Sequence, residues 1–167
     1  MDLIGILLSA GSDPLTYSII FFVYVVLAAV ILPIPVELGL FNPHISPILL
    51  IGILALGKGV GSFFVFNIGM KARERIKNFS TSNAFIKKIV EYSEWFVKKW
   101  GYYGLLIVLS TPLMIDSISL YLFSLLNPEQ EGVGMEMNYF IIVNIIAGAI
   151  RGIITLTVFW YMGIKLA

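Results

Sequence analysis

Glu37, Lys58, Asp116 and Arg151 each stand alone in an otherwise uncharged apolar stretch; the runs 14–36, 38–57, 100–115, 117–128, 137–150 and 152–164 carry no charge at all. A lone charge at the centre of a membrane helix costs about 2.5–3.5 kcal/mol on insertion scales, so such groups are usually paired and functional. Here two acids and two bases sum to zero. Lys58 and Arg151 can hold an anionic headgroup, with Arg offering bidentate contact to phosphate. Glu37 and Asp116 can carry a coupling proton, because a carboxylate's proton affinity is set by its burial and by the cations beside it. The alternative is a pair of buried salt bridges that only hold helices together, although desolvation can exceed the attraction in such pairs.

No other constellation carries chemistry. There is no cluster of metal-ligand type, no phosphate-binding Gly-rich loop and no nucleophile with a matching base, so neither an enzyme nor a cofactor or metal is expected. The absence of cysteine excludes disulfides, thiolate metal sites and a cysteine nucleophile. His44, the only histidine, lies between Pro43 and Pro47 and reads as an interfacial loop residue, although it can titrate near neutrality.

The elements that must position the four charges follow from composition. Of 167 residues 59% are hydrophobic and 13% charged, against roughly 25% charged in globular chains. That excludes a soluble monomer and points to one polytopic membrane domain, all α-helical. The net charge of +1 gives no footprint for nucleic acid. Met1 to Gly11 is apolar, but it begins with Asp2 and lacks the basic start of a secretory signal, so it is expected to be retained. Apolar stretches cover about 15–32, 45–69, 101–126 and 139–165. Pro33, Pro35, Pro43 and Pro47 break the chain after the first, and Pro112 sits inside the third. Broken backbone at membrane depth is tolerated only where protein or a wet cavity covers it. The prolines therefore suggest re-entrant or discontinuous helices around a site; the alternative is a plain kink in a full span.

Self-comparison yields a repeat. Pro33-Ile34-Pro35-Val36-Glu37 matches Pro112-Leu113-Met114-Ile115-Asp116, 79 positions later. Lys58-Gly59-Val60-Gly61-Ser62-Phe63-Phe64-Val65-Phe66 matches Arg151-Gly152-Ile153-Ile154-Thr155-Leu156-Thr157-Val158-Phe159, 93 positions later and without a gap. The difference of 14 is about the size of an acidic loop at 127–138 that holds Glu129, Glu131 and Glu136. Each half, about 14–69 and 101–165, thus reads as a proline-broken hairpin with an acid followed by a transmembrane helix with a base. Gly57, Gly59 and Gly61 surround Lys58, and Gly148 and Gly152 flank Arg151; small residues let membrane helices pack closely. Because Asp116 lies well inside its stretch, Glu37 is expected at equal depth, which favours re-entrant hairpins and halves of inverted topology. Duplicated halves around a midplane site are a recurrent plan of secondary transporters.

The joining segment, about 70–100, holds eight of the eleven basic residues and is cytoplasmic by the positive-inside rule. Phe85, Ile86, Ile89, Val90, Phe96 and Val97 recur at helical spacing opposite Lys87, Glu91, Glu94 and Lys98. With Trp95 and Trp100 they describe an amphipathic helix in the headgroup zone, against membrane lipid.

The Pro33–Glu37 element, Gly57 and Gly61 with Phe66 and Gly69, and Gly101-Tyr102-Tyr103-Gly104 opening the segment with Pro112, resemble the DedA superfamily, also called SNARE-associated or VTT-domain proteins. The short chain and the Pro-Ile-Pro-Val-Glu-Leu-Gly stretch look closest to its divergent prokaryotic branch, the small multidrug export proteins. The resemblance covers about 20–165 and implies two facing re-entrant hairpins and transport or scrambling of phospholipids or polyprenyl phosphates, often proton-linked. Glu37 carries over. Family members usually have an acid directly after the second glycine, where this chain has Ser62, and arginines flanking the second hairpin's proline, where it has Ser110 and Asp116. Lys58 and Arg151 would have to supply the positive charge.

The expectation is a multi-pass protein of the prokaryotic cytoplasmic membrane, working as a homodimer, that flips an amphiphile with an anionic headgroup. Export of cationic amphiphiles, with Glu37 and Asp116 as binding acids, is a second reading. A third is a non-transporting scaffold acting through the basic helix, with Lys87, Lys88, Lys98 and Lys99 as its contacts.

Overall fold

The computed structural model describes residues 5, 13–31, 34–80 (74–80 as backbone only), 95, 99–112, 116–125, 127 and 135–162. Pro33, the amphipathic faces between Phe85 and Glu94, Phe96 to Lys98, and Glu129 and Glu131 lie outside the described residues. All regular structure among the described residues is helical.

Helix α1 (Pro14–Val30) starts on Asp13, whose carboxylate accepts from the backbone N–H groups of Leu15 and Thr16, each at 3.3 Å. Pro14 takes the first helical position, where a missing N–H costs nothing. Tyr17, Phe21, Tyr24 and Ala28 recur at helical spacing and form its buried face. After Ile31 the chain leaves the helix and forms a 3-10 turn, Val36–Leu40, with Pro35 as its N-cap and Glu37 in its first turn.

Helix α2 (Pro47–Ser80) begins after Ser46, whose hydroxyl accepts from the Leu49 N–H at 3.3 Å. It is the central helix of the fold, packed against α1, against residues 116–125 and against the last helix. It runs eleven residues past the apolar stretch that ends at about 69, because 70–80 contains strong helix formers and neither Gly nor Pro. Arg73, one of the eight basic residues of the joining segment, is buried, and its Nη1 donates to the Leu125 carbonyl at 3.3 Å.

The third apolar stretch divides in two. Helix α3 covers 99–110, and helix α4 (Asp116–Leu125) follows. Pro112 has no N–H to continue the ladder, and the Thr111 N–H turns back to the Val108 carbonyl at 3.3 Å. Asn127 then clasps the chain across the acidic loop: its side chain donates to the Met135 carbonyl and accepts from the Met135 N–H, both at 2.6 Å. Helix α5 (Met137–Tyr161) completes the fold, and its buried stripe is Phe140, Asn144, Ala147, Gly148, Arg151, Gly152, Thr155 and Leu156.

Two helical spans, Pro47–Arg73 and Met137–Tyr161, of 27 and 25 residues, are long and apolar enough to cross a membrane. At 1.5 Å per residue they measure about 37–40 Å, against a hydrocarbon core of about 30 Å. Helix α1 is a shorter apolar helix. Large apolar side chains also point outward: Leu15 and Ile19 on α1, Ile48 and Leu56 on α2, Ile153 and Trp160 on α5.

The glycines sit at the closest crossings. A Cβ at Gly57 would fall 2.8 Å from Val25, and one at Gly61 2.5 Å from the Cβ of Ala29, both on α1. On the other side of α2, a Cβ at Gly59 would meet Ile145 at 2.6 Å. From α5, one at Gly148 would lie 3.0 Å from the Ala55 backbone, and one at Gly152 3.0 Å from Ile51. These five positions bring α1 and α5 onto opposite faces of α2, with Lys58 between them.

Candidate functional site

All four isolated charges meet in one buried cluster. Arg151, fully enclosed on α5, donates Nε to Oε1 of Glu37 at 2.7 Å, and its Nη2 also contacts that oxygen. Its Nη1 reaches Oδ1 of Asp116 at 2.8 Å. Lys58 on α2, equally enclosed, approaches the same Asp116 oxygen at 3.0 Å. The four side chains thus form a chain, Glu37–Arg151–Asp116–Lys58, in which every ion touches one of opposite sign.

The breaks in the helices position this chain. Tyr17 and Tyr24, seven residues apart on one face of α1, donate their hydroxyls to the carbonyls of Gly39 and Pro35, each at 3.0 Å. They hold the 3-10 turn on either side of Glu37 and present its carboxylate to α5. At the end of α3, the stop at Pro112 leaves the last carbonyls without their usual helical donors. Lys58 Nζ donates to one of them, that of Leu109, at 3.1 Å. Asp116 opens α4, where a carboxylate is favoured by the helix dipole.

Further buried polar groups on the Arg151 face of α5 lack partners. Asn144 donates to the Phe140 carbonyl at 2.8 Å, but its Oδ1 makes no hydrogen bond; neither does the hydroxyl of Thr155. Ser110, beside Leu109, is buried with its hydroxyl also unmatched. Each such group costs about 1–3 kcal/mol if it stays dry. In the sequence Ser110 stands out only as a departure from the resembled family's pattern and Thr155 only as part of the repeat, while Asn144 and the two tyrosines do not stand out at all. Asn144 and Thr155 could have been found, since they lie seven residues before and four after Arg151, on the same helical face. No sequence signal marks the tyrosine contacts.

Of the other residues singled out, Pro35 caps the 3-10 turn and Pro112 ends the third helical segment. His44 is exposed, and its backbone N–H donates to the Asn42 side chain at 2.9 Å, away from the cluster. Among the described residues no group of His, Cys, Asp or Glu is arranged to hold a metal. Compared with family models, curated proteins and solved structures, the chain finds no match.

Proposed function

We propose that this chain is a small integral membrane transporter that flips an amphiphile with an anionic headgroup, a polyprenyl phosphate or a phospholipid, through the Glu37–Arg151–Asp116–Lys58 cluster. The observation that carries this reading is the engagement of both acids by one guanidinium. Carboxylate and phosphate oxygens are alike as acceptors for a guanidinium, which supports a headgroup taking the place of Glu37 or Asp116 on Arg151. Protonating either acid leaves the cluster with one positive charge in excess. An incoming anion then replaces the lost carboxylate charge, and deprotonation expels it. Proton movement and headgroup movement are coupled by this competition.

The fold supports the reading in three ways. Outward apolar side chains on α1, α2 and α5 suit a hydrocarbon surround. The two broken segments each deliver an acid in the first turn of the helix that follows, as re-entrant hairpins of a duplicated, inverted pair would. The polar stripe Asn144, Arg151, Thr155 runs along about 16 Å of α5, and its unmatched groups suit water or a passing headgroup. In this reading the protein belongs to a DedA-like class, resides in the prokaryotic cytoplasmic membrane and works as a homodimer.

The test is a flipping assay in proteoliposomes with fluorescent phospholipid and polyprenyl phosphate. Arg151→Lys keeps the charge but loses the fork, and Glu37→Gln removes one internal competitor. Both should lose most activity while Gly52→Ala retains it. Full activity in both variants would overturn the mechanism, and pH-dependent transport of a lipophilic cation with no lipid flipping would point to the exporter instead.

A further inference from the structure

An apolar groove lies between the end of α3 and α5. Its volume is about 420 Å³, within the roughly 300–1,000 Å³ of ligand sites, and it is open along one side. Leu106, Ile107 and Pro112 line it from the end of α3, and Ile150 and Ile154 from α5. Its origin is the Pro112 stop: the helix ends at 110, the next begins at Asp116, and the interruption leaves a trough against α5. Ile107 is 64% exposed, so the trough opens toward whatever surrounds the protein.

Two polar side chains belong to this otherwise apolar lining. Thr111 is satisfied, its hydroxyl donating to the Ile107 carbonyl at 2.9 Å. Ser110 is not: it is only 9% exposed, it lines the groove, and its hydroxyl has no hydrogen-bond partner. A buried hydroxyl without a partner costs about 1–3 kcal/mol; the oxygen is shielded as it stands, and a turn of the side chain toward a ligand acceptor in the groove would remove that cost. Two of its lining residues also adjoin the cluster and its contacts in sequence. Ile150 precedes Arg151, and Ser110 follows Leu109, whose carbonyl holds Lys58.

We infer that this groove seats one hydrocarbon chain of the transported anionic amphiphile, with the Ser110 hydroxyl donating to the first acceptor oxygen between chain and headgroup. The apolar lining recognises the chain, Ser110 marks where the chain ends, and the anionic head then points toward Lys58 and Arg151. This rests on the transport reading for the identity of the ligand, but the site is read out independently of transport.

The experiment uses the full chain in nanodiscs of phosphatidylcholine containing a small fraction of anionic phospholipid with a diazirine in one acyl chain. After photolysis, labelled positions are mapped by mass spectrometry. Labelling at Leu106, Ile107, Ile150 and Ile154 should exceed that at Ile19 and Leu122, which are 59% and 52% exposed on other helices. Ile154→Trp, which fills the trough, should bring groove labelling down to that background. Ser110→Ala should lower it about two- to tenfold, the worth of one hydrogen bond. Unchanged labelling at Ile19 and Leu122 shows that each variant is folded. Even labelling of groove and control positions, or full groove labelling in Ile154→Trp, would overturn the assignment. Even labelling in a protein that still flips lipid overturns the groove alone; groove labelling in a protein that never flips lipid overturns the transport reading alone.

Discussion

Arg151 donates its Nε to Glu37 at 2.7 Å across 114 positions of sequence, so the end of the chain is fastened to its first break inside the protein. The same guanidinium holds Asp116 at 2.8 Å, and through Asp116 it is linked to Lys58. One arginine therefore joins the two proline-broken segments to each other.

Removing that arginine leaves two carboxylates with a single buried cation. Arg151→Ala should lose about 3–5 kcal/mol of stability, the usual cost of breaking a buried pair from one side. Adding Glu37→Gln should recover part of that loss. A double-mutant cycle on denaturant unfolding measures this, and a coupling energy above about 1 kcal/mol is expected for residues in direct contact.

The tyrosines of α1 position Glu37 without touching its partner. Tyr24→Phe frees the Pro35 carbonyl and should cost about 1 kcal/mol, with Tyr17→Phe behaving alike at Gly39. Tyr24→Phe should also slow flipping. Rates measured with folded protein, matched by circular dichroism, separate this effect from simple loss of stability.

Glycine positions on the two long helices should divide sharply. A Cβ at Gly148 meets the Ala55 backbone, which cannot swing aside, whereas one at Gly52 meets nothing within 4 Å. Gly148→Ala should therefore destabilise by about 1–3 kcal/mol through overpacking. Gly52→Ala should be neutral or stabilising by up to about 1 kcal/mol through helix propensity. Thermal unfolding of the two variants in the same detergent checks the contrast.

Helix α1 carries a pH-sensitive cap. The Thr16 hydroxyl, with help from the backbone N–H groups of Thr16 and Leu15, holds the Asp13 carboxyl below its ordinary value despite some opposing desolvation. A depressed folded-state pKa contributes stability above the unfolded value and loses it as pH falls through the folded one. Amide exchange at Leu15 and Thr16 should therefore be slow at neutral pH relative to its intrinsic rate. Protection should level off above the ordinary carboxyl value of 3.8 and fall as pH drops below it; Asp13→Ala should show the low-pH behaviour throughout.

The four cluster residues were legible because an ion in an apolar run is conspicuous, and because the two matches paired acid with acid and base with base. Which acid meets which base was not. The repeat treats Lys58 and Arg151 as equivalents, yet Arg151 engages both carboxylates while Lys58 engages one, since only the guanidinium has several donors spread over a planar fork. Neutral polar partners were invisible for a different reason. Ser110 and Tyr24 resemble many other residues of their type, and only packing reveals that one hydroxyl lacks a partner while the other binds a carbonyl across the fold. How far α2 runs past its apolar stretch was not legible either, since only the fold shows Arg73 turning inward to the Leu125 carbonyl.

A headgroup that crosses at the charges themselves is stopped by removing all four at once, in the variant Glu37→Gln, Lys58→Met, Asp116→Asn, Arg151→Met, which leaves no lone ion behind. Replacing buried ion networks by neutral groups of similar volume is often tolerated, so the variant should fold with wild-type helicity. Its rate of flipping anionic lipid in proteoliposomes should fall to that of protein-free vesicles. Flipping at the wild-type rate by the folded, uncharged variant would show that the headgroup does not cross at these four residues.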